Sequence, residues 1–241
     1  LAVLTEVIVK VLPEPEKIRT ILLIWKKQGT HDHDAVKAMT QALSSPHEVS
    51  GVAHLPRSIA ERSAVDYLAG GDRAVTAIRV EGPGPSVTHR CMALRSLLAS
   101  FGDTEELHTQ NSKGLWREIR NVLYFSDDER LVWRISVPPS AGSKVVSEIL
   151  EARAGEAFYD WGGGLIWLAL HAASGAGADM VRHCVGAVSG HATLVRAPDS
   201  MRRSVSVFEP QMGPLKEINR RIKEGFDPKG ILNPGRIQED Y

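Results

Sequence analysis

The sequence predicts an α+β fold: an antiparallel sheet with helices on one face, built from two ferredoxin-like β-α-β-β-α-β units. Three observations lead there. The second half reads strand, helix, strand, strand, helix, strand, and its two middle strands are joined by only Gly162-Gly163-Gly164, which suits a hairpin. Its opening strand alternates Leu131, Trp133, Ile135 and Val137 with Arg134 and Ser136, as a sheet with one wet face does. The first half can be read in the same order with an extra helix inserted, and the two units can merge into one continuous sheet. A doubly wound parallel sheet is the alternative, since strands and helices alternate. The glycine hairpin and the alternating polarity count against it.

In chain order, Val3, Thr5, Val7, Val9 and Val11 share one face of an opening strand, with Glu6 and Lys10 on the other. Pro13-Glu14-Pro15-Glu16 ends it and opens a helix, with carboxylates where the helix dipole favours them. Ile18, Ile21, Leu22 and Trp25 form the buried stripe of that helix, Lys26 and Lys27 its basic end, and Gly29 its stop. A helix over 34–43, a strand over 48–55, a short helical stretch and a strand over 74–80 follow. Gly82-Pro83-Gly84-Pro85 leads into a helix carrying Val87, Cys91, Leu94, Leu98 and Phe101 on one face. A strand near 106–109 and a helix capped by Asn111 or Ser112 close this half. Beyond the strand that starts at Leu131, Pro138-Pro139 turns into a helix with Val145, Val146, Ile149 and Leu150. Strands over 157–161 and 165–171, a helix through Met180, Val181, Cys184, Val185 and Val188, and a strand over 191–196 complete the second unit. A last strand near 204–208 and a helix over 214–224 end the body.

Composition removes several function classes. With 43% hydrophobic and 24% charged residues the chain is neither disordered nor collagen-like nor a coiled coil. Lys plus Arg equals Asp plus Glu at 29 each, so no global field draws nucleic acid or an anionic membrane. The run Leu165–Leu170 is strand-sized, far short of the roughly 20 residues of a membrane span. Cys91 and Cys184 are too few for a disulfide scaffold or an iron–sulfur cluster and read as buried reduced thiols. Walker, G-x-G-x-x-G, H-E-x-x-H, C-x-x-C and G-x-S-x-G motifs are all missing. His31-Asp32-His33-Asp34 has metal-ligand chemistry, but His31 and His33 would point to different helix faces while an aspartate makes a good cap, so no metal site is expected.

Three segments carry possible chemistry. Asp160-Trp161-Gly162-Gly163-Gly164, followed by Trp167, offers glycines that let a planar ligand approach and indoles to stack on it; the same residues also make a plain hairpin between core tryptophans. In Gly190-His191-Ala192-Thr193-Leu194-Val195-Arg196, with Arg202 and Arg203 close behind, an arginine can grip a carboxylate and an imidazole can accept a proton; a solvated strand end is the competing reading. The tail, from Asp227 to Arg236, holds two prolines and two glycines in a stiff, shaped segment anchored by Ile231 and Leu232, which is expected to pack against something.

The tail DPKGILNPGR closely resembles the C-terminal motif of FAD-linked oxidases of the vanillyl-alcohol-oxidase type. The opening LAVLTEVIVKVLPEPE looks like the last strand of that family's FAD-binding domain and its exit into the cap domain. DWGGG with Trp167, and GHATLVRA, resemble the FAD-binding subunit of bacterial glycolate oxidase. Ala2 and Ser189 stand where this family has glycines, and the H-G-D-G-N motif of related 2-hydroxy-acid dehydrogenases is absent. The resemblance divides the chain into 1–12, the last strand of a mostly missing FAD-binding domain; 13–226, a cap on the substrate side with halves of about 13–125 and 126–226; and 227–241, a tail packing toward the FAD domain.

What the resemblance implies is hydride transfer from a small 2-hydroxy acid, glycolate to glyoxylate, onto FAD. The implied setting is a cytoplasmic complex with a sister flavin subunit and an iron–sulfur subunit, held peripherally at the inner face of the membrane. His191 would be the base. Trp161, Trp167, Arg196, Arg202 and Arg203 would meet the substrate, and Gly162, Gly163, Asn233, Gly235 and Arg236 the cofactor. Without a phosphate-cradling loop, the chain alone is expected to fold, to bind FAD weakly or not at all, and to be inactive. A non-catalytic assembly module, or a ferredoxin-like ligand-binding domain, is the competing function.

Overall fold

The computed structural model describes residues 6–11, 13–26, 32–126, 129–172 and 174–235. The first unit comprises β1 (Lys17–Trp25), α1 (Asp32–Leu43), β2 (Gly51–Leu55), the single-turn helices α2 (Arg57–Ala60) and α3 (Asp66–Ala69), β3 (Ala74–Gly82), α4 (Gly84–Leu98) and β4 (Thr104–Leu107). Helix α5 (Thr109–Asn121) leads to the second unit: β5 (Leu131–Ser136), α6 (Gly142–Ala152), β6 (Gly155–Asp160), β7 (Leu165–Leu170), α7 (Ala178–Gly186) and β8 (His191–Arg196). Two helices follow, α8 (Asp199–Arg202) and α9 (Pro214–Phe226). The strands form one eight-stranded sheet in the order β4-β1-β3-β2-β6-β7-β5-β8, with every pairing antiparallel. The second unit mirrors the strand order of the first, so the two abut through β2 and β6. No described helix is long and apolar enough to cross a membrane.

The helices of the repeated units lie on one face, as the fold class predicts. There Met39, Leu94, Ile149 and Val181 pack on Ile21, Ile78, Ile135 and Ile166. The inserted α2 and α3 and the linking α5 cover the other face over the first unit and β6, burying Leu22, Ala53, Leu55 and Phe158 beneath Ile59, Leu68, Leu115 and Ile119.

Three expectations are corrected. The segment Lys17–Trp25 is a strand, not a helix. The spacing of Ile18, Ile21, Leu22 and Trp25 imitates a helical stripe, but Leu23 and Ile24 are equally apolar. Ile21, Leu23 and Trp25 enter one core layer, Leu22 and Ile24 the other. A central strand covered on both faces loses its polar alternation, and its β-branched residues favour the pleat. The opening strand is not formed over residues 6–11: Val7, Ile8, Val9 and Val11 are exposed, because alternation makes a strand only where an edge accepts it. Val3, Thr5, Lys27, Gly29 and His31 lie outside the described residues. Finally, 204–208 is turn and bend. A single backbone bond, Leu194 N to Val207 O at 2.8 Å, reaches the β8 edge, and the Glu209 carboxylate takes the Ala192 N–H at 3.1 Å. Cys91 is buried in α4, where burial pushes its thiol up to about 11, while Cys184 in α7 is only half-buried.

Two buried polar networks fix the parts that matter for the site. Across the β2–β6 seam, Trp25 Nε1 donates to Thr76 Oγ1 (2.8 Å), whose hydroxyl also meets His54 Nδ1 (2.9 Å). His54 Nε2 faces Asp32 Oδ1 at 3.4 Å, and Tyr159 donates to Asp32 Oδ2 at 2.6 Å. Helix α5 is pinned by Glu118, 5% exposed, whose carboxylate accepts from Ser63 Oγ (2.7 Å), Ala64 N (2.9 Å) and Tyr124 Oη (3.0 Å). Replacing Glu118 with alanine strands three donors, and we expect a loss of about 2–4 kcal/mol. For a chain of this size that lowers the unfolding midpoint by roughly 5–12 °C, measurable by thermal denaturation.

Candidate functional site

On the face away from α6 and α7, the second unit is covered in part: Val132, Phe158 and Ala169 are buried, whereas Arg134, Trp167 and Thr193 are only half-buried and His191 is exposed. Strand parity places Arg134 and Ser136 of β5, Leu165 and Trp167 of β7, and His191 and Thr193 of β8 on that face. The register aligns Thr193, Arg134, Trp167 and Phe158 in one row, and His191, Ser136, Leu165 and Asp160 in the next. Between this face and α5 lies a cleft of about 600 Å³. Trp161, Trp167, Arg134 and Asp160 line one side; Arg79, Trp116, Arg117 and Arg120 line the other.

The turn after β6 is built to present Trp161. Trp161, Gly162 and Gly163 have φ of 51°, 70° and 96°, three left-handed residues in succession. Glycine adopts these angles freely, but tryptophan pays about 1–2 kcal/mol for them. Asp160 Oδ1 holds the turn by accepting the Trp161 N–H at 2.8 Å. Gly162 and Gly163 are buried: a Cβ on Gly163 would sit 2.8 Å from Val36 Cγ2. These glycines therefore shape the turn against α1, while the indole of Trp161 remains 63% exposed. A strained, exposed aromatic residue marks a site maintained for something other than stability.

The cleft is lined by more cations than acids: Arg79, Lys113, Arg117, Arg120 and Arg134 stand against Asp160, although Arg79 pairs with Glu81 at 3.3 Å and Lys113 with Glu14. Two arginines rest on indoles: Arg134 lies 5.6 Å from the Trp161 ring and Arg79 5.0 Å from that of Trp116. Trp116 donates to Thr20 Oγ1 at 2.8 Å and lies across Gly51, where a Cβ would come within 3.1 Å of it. Burial raises the Asp160 carboxyl above the usual carboxylate range, offset by the Trp161 N–H and by Arg79.

Of the residues singled out from sequence, the structure unites Trp161 and Trp167. His191 is exposed on the same face, three strands from Asp160 in its row and outside the cleft lining. Arg196 sits at the far end of β8, five steps and roughly 16 Å along the strand from His191. Its guanidinium donates to the Arg130 and Ser126 carbonyls and borders a separate hollow with Glu129 and His171. Arg202 and Arg203 are exposed beyond β8, at the end of α8. In the tail, Asn233 (φ 49°) and Gly235 (φ 66°) form a left-handed turn, and Arg236 lies outside the described residues. Asp227 organises this segment: it accepts the N–H groups of Ile231 (3.0 Å) and Leu232 (2.8 Å) and pairs with Lys223, which holds its carboxyl below the usual range. Leu215, Ile218, Ile222 and Phe226 of α9 are exposed, so the apolar stripe read from the sequence is not packed within this chain.

Sequence reasoning passed over Arg134, Arg79, Trp116 and the basic residues of α5. An arginine inside LVWRIS was visible as the polar member of an alternating strand; that α5 would face it across a cleft has no local signature.

Two outcomes follow. Replacing the exposed, strained Trp161 with glycine changes stability by less than about 1 kcal/mol, whereas replacing the fully buried Trp133 with alanine costs about 3–5 kcal/mol, as denaturant unfolding will show. Asp160→Asn stabilises the fold at neutral pH. A carboxyl whose folded pKa is raised contributes stability below its unfolded pKa and loses it as pH climbs through the folded value, so ionised Asp160 is the unfavourable form. The difference between wild type and variant, followed by thermal unfolding, shrinks toward zero as pH falls to the ordinary aspartate range near 3.8.

No family model matches the chain. Over 238 residues it is 29% identical to glycolate oxidase subunit GlcE of Escherichia coli (strain K12), covering 98% of this chain and 53% of that protein. Two solved structures share the fold. One is 4-ethylphenol oxidase from Gulosibacter chungangensis in its isoeugenol complex, with TM-score 0.58 and 15% identity, covering 94% of this chain and 55% of that one. The other is p-cresol methylhydroxylase with substrate bound, with TM-score 0.56 and 12% identity, covering 95% and 54%. The chain thus spans about half the length of the proteins it matches. By sequence it is similar to about half of the glycolate oxidase subunit GlcE, and it shares its fold with about half of 4-ethylphenol oxidase and of p-cresol methylhydroxylase.

Proposed function

We propose that this chain is the substrate-side part of an FAD-linked oxidoreductase subunit that oxidises a small 2-hydroxy acid, glycolate to glyoxylate, in a complex with a sister flavin subunit and an iron–sulfur subunit. The observation that carries the reading is the partly open face of the second unit. Arg134, Trp161 and Trp167 stay open there, beside a tail helix whose apolar stripe is exposed. Both surfaces are shaped to be covered, and the likeness to GlcE supports a cover from the rest of such a subunit and its partners.

The residues present fit one end of FAD and not the other. A pyrophosphate needs backbone N–H donors at a glycine loop or helix start. The glycine-rich segment that opens α4 contains Pro83 and Pro85, which have no N–H, and Glu16 and Lys17 fill the space beside Gly84. The face bearing Trp161 and Trp167 suits a planar ring. FAD, when held by the rest of the subunit, supplies the hydride acceptor. This chain would contribute a wall that orients the substrate and excludes water, with His191 at its rim as the candidate proton acceptor. The turn at Asn233 and Gly235, with Arg236, would carry the tail toward the flavin domain.

The test is reconstitution with the complete subunit and its partners. Trp161→Ala should retain flavin and assembly but lower glycolate-dependent flavin reduction roughly 100-fold, the scale of a misplaced substrate. Unchanged turnover would remove the wall from catalysis and favour the assembly reading, to which the exposed stripe of α9 gives independent support. Alone, the chain should bind FAD weakly or not at all; tight stoichiometric binding would contradict the division of labour proposed.

A further inference from the structure

We infer that Arg134, seated on Trp161, anchors the carboxylate of an organic acid in the cleft between the two units. The inference rests on the functional reading above for its choice of acid, but the anchor itself is argued from this chain alone.

Arg134 lies mid-strand in β5 and is half-buried. Its guanidinium lies over the Trp161 ring at 5.6 Å and, among the described residues, has no carboxylate partner. Arg73 and Arg153 are likewise half-buried without a carboxylate partner among the described residues, but neither lines the cleft, and four other shielded arginines are paired. Arg19 meets Glu106 at 2.9 Å, Arg90 meets Glu48 at 3.3 Å, Arg182 meets Glu209 at 3.7 Å, and Arg130 meets Glu156. A partly desolvated cation left without an anion is unfavourable and calls for one from outside.

The surroundings define that anion. Resting on the indole restrains the guanidinium while leaving N–H donors free, and their fork matches the two oxygens of a carboxylate. Thr193 and Trp167 flank Arg134 in its row, supplying a hydroxyl and an apolar plane. Arg117 and Arg120 across the cleft add positive potential, so an acid is drawn in and a neutral or cationic ligand is not. Arg196, Arg202 and Arg203, the arginines favoured from sequence, stand outside this cleft.

The chain without flavin is sufficient for the test. Tryptophan fluorescence is titrated with glycolate, lactate and mandelate, with glycolamide as the neutral analogue and with inorganic phosphate. We expect carboxylates to perturb the emission and glycolamide not to. R134Q should weaken binding roughly tenfold or more, with R134K intermediate because it keeps the charge and loses the fork. Trp161→Leu, at an exposed position, tests the seat without disturbing the core. Binding of lactate or mandelate but not glycolate, lost in R134Q, would uphold the anchor and displace glycolate from the functional reading. Undiminished binding in a folded R134Q, loss of binding instead in an R202Q/R203Q double variant, tighter binding of phosphate than of any carboxylate, or no carboxylate binding at all would each overturn the anchor.

Discussion

Two residue pairs, Ala53 with Asp160 and His54 with Tyr159, are the register through which β2 and β6 join two four-stranded units into one sheet. The seam is far shorter than the nine-pair ladder between β1 and β3. Its strength comes from what is packed on it. His54 and Tyr159, both fully buried, share Asp32 at the start of α1, and Thr76 and Trp25 extend the network into β3 and β1. Inside a low-dielectric core such a network is directional where apolar packing is not, so it sets the angle at which the halves meet.

That angle decides the cleft, whose walls belong to different units: Arg79 and α5 on one side, Arg134 and Trp161 on the other. Asp160 makes the coupling direct. Its backbone pairs with Ala53 at the seam, and its carboxylate holds the left-handed turn that exposes Trp161. The strain in that turn is tolerable because Gly162 and Gly163 pack against α1, the same helix that supplies Asp32 to the network behind. Seam, turn and cleft wall thus form one mechanical unit, and a substitution on the helix side of the sheet can alter the cleft without touching it.

The second unit was largely readable because its strands keep one wet face. Arg134 and Ser136 punctuate β5, and the triple glycine announces the hairpin. The first unit concealed β1 for the opposite reason: covered on both faces, Lys17–Trp25 lacks the alternation that distinguishes a strand from a helix. At the site, Trp161 and Trp167 were visible because glycines and aromatics cluster locally. The arginines favoured from sequence were chosen by closeness to His191 along the chain, yet a strand carries Arg196 away from its first residue. Arg134 reaches Trp161 through the pairing of β5 with β7, a contact between residues 27 apart whose register no short window contains.

The repetition of the unit also explains why the site is where it is. In β1, the outward-facing polar residue Thr20 is fully buried and meets Ser112 at 2.6 Å and the Trp116 indole at 2.8 Å, both supplied by α5. In β5, which holds the same place in the second unit, the outward-facing polar residue is Arg134, which among the described residues is separated from α5 by the cleft instead of packing against it. One copy of the scaffold satisfies its polar face with its own chain; the other keeps a charged, half-buried group that only an external anion completes. Covering one face unevenly, with α2, α3 and α5 over the first unit and its seam with β6, leaves the half-buried Arg134 open to a cleft in an otherwise near-symmetric sheet.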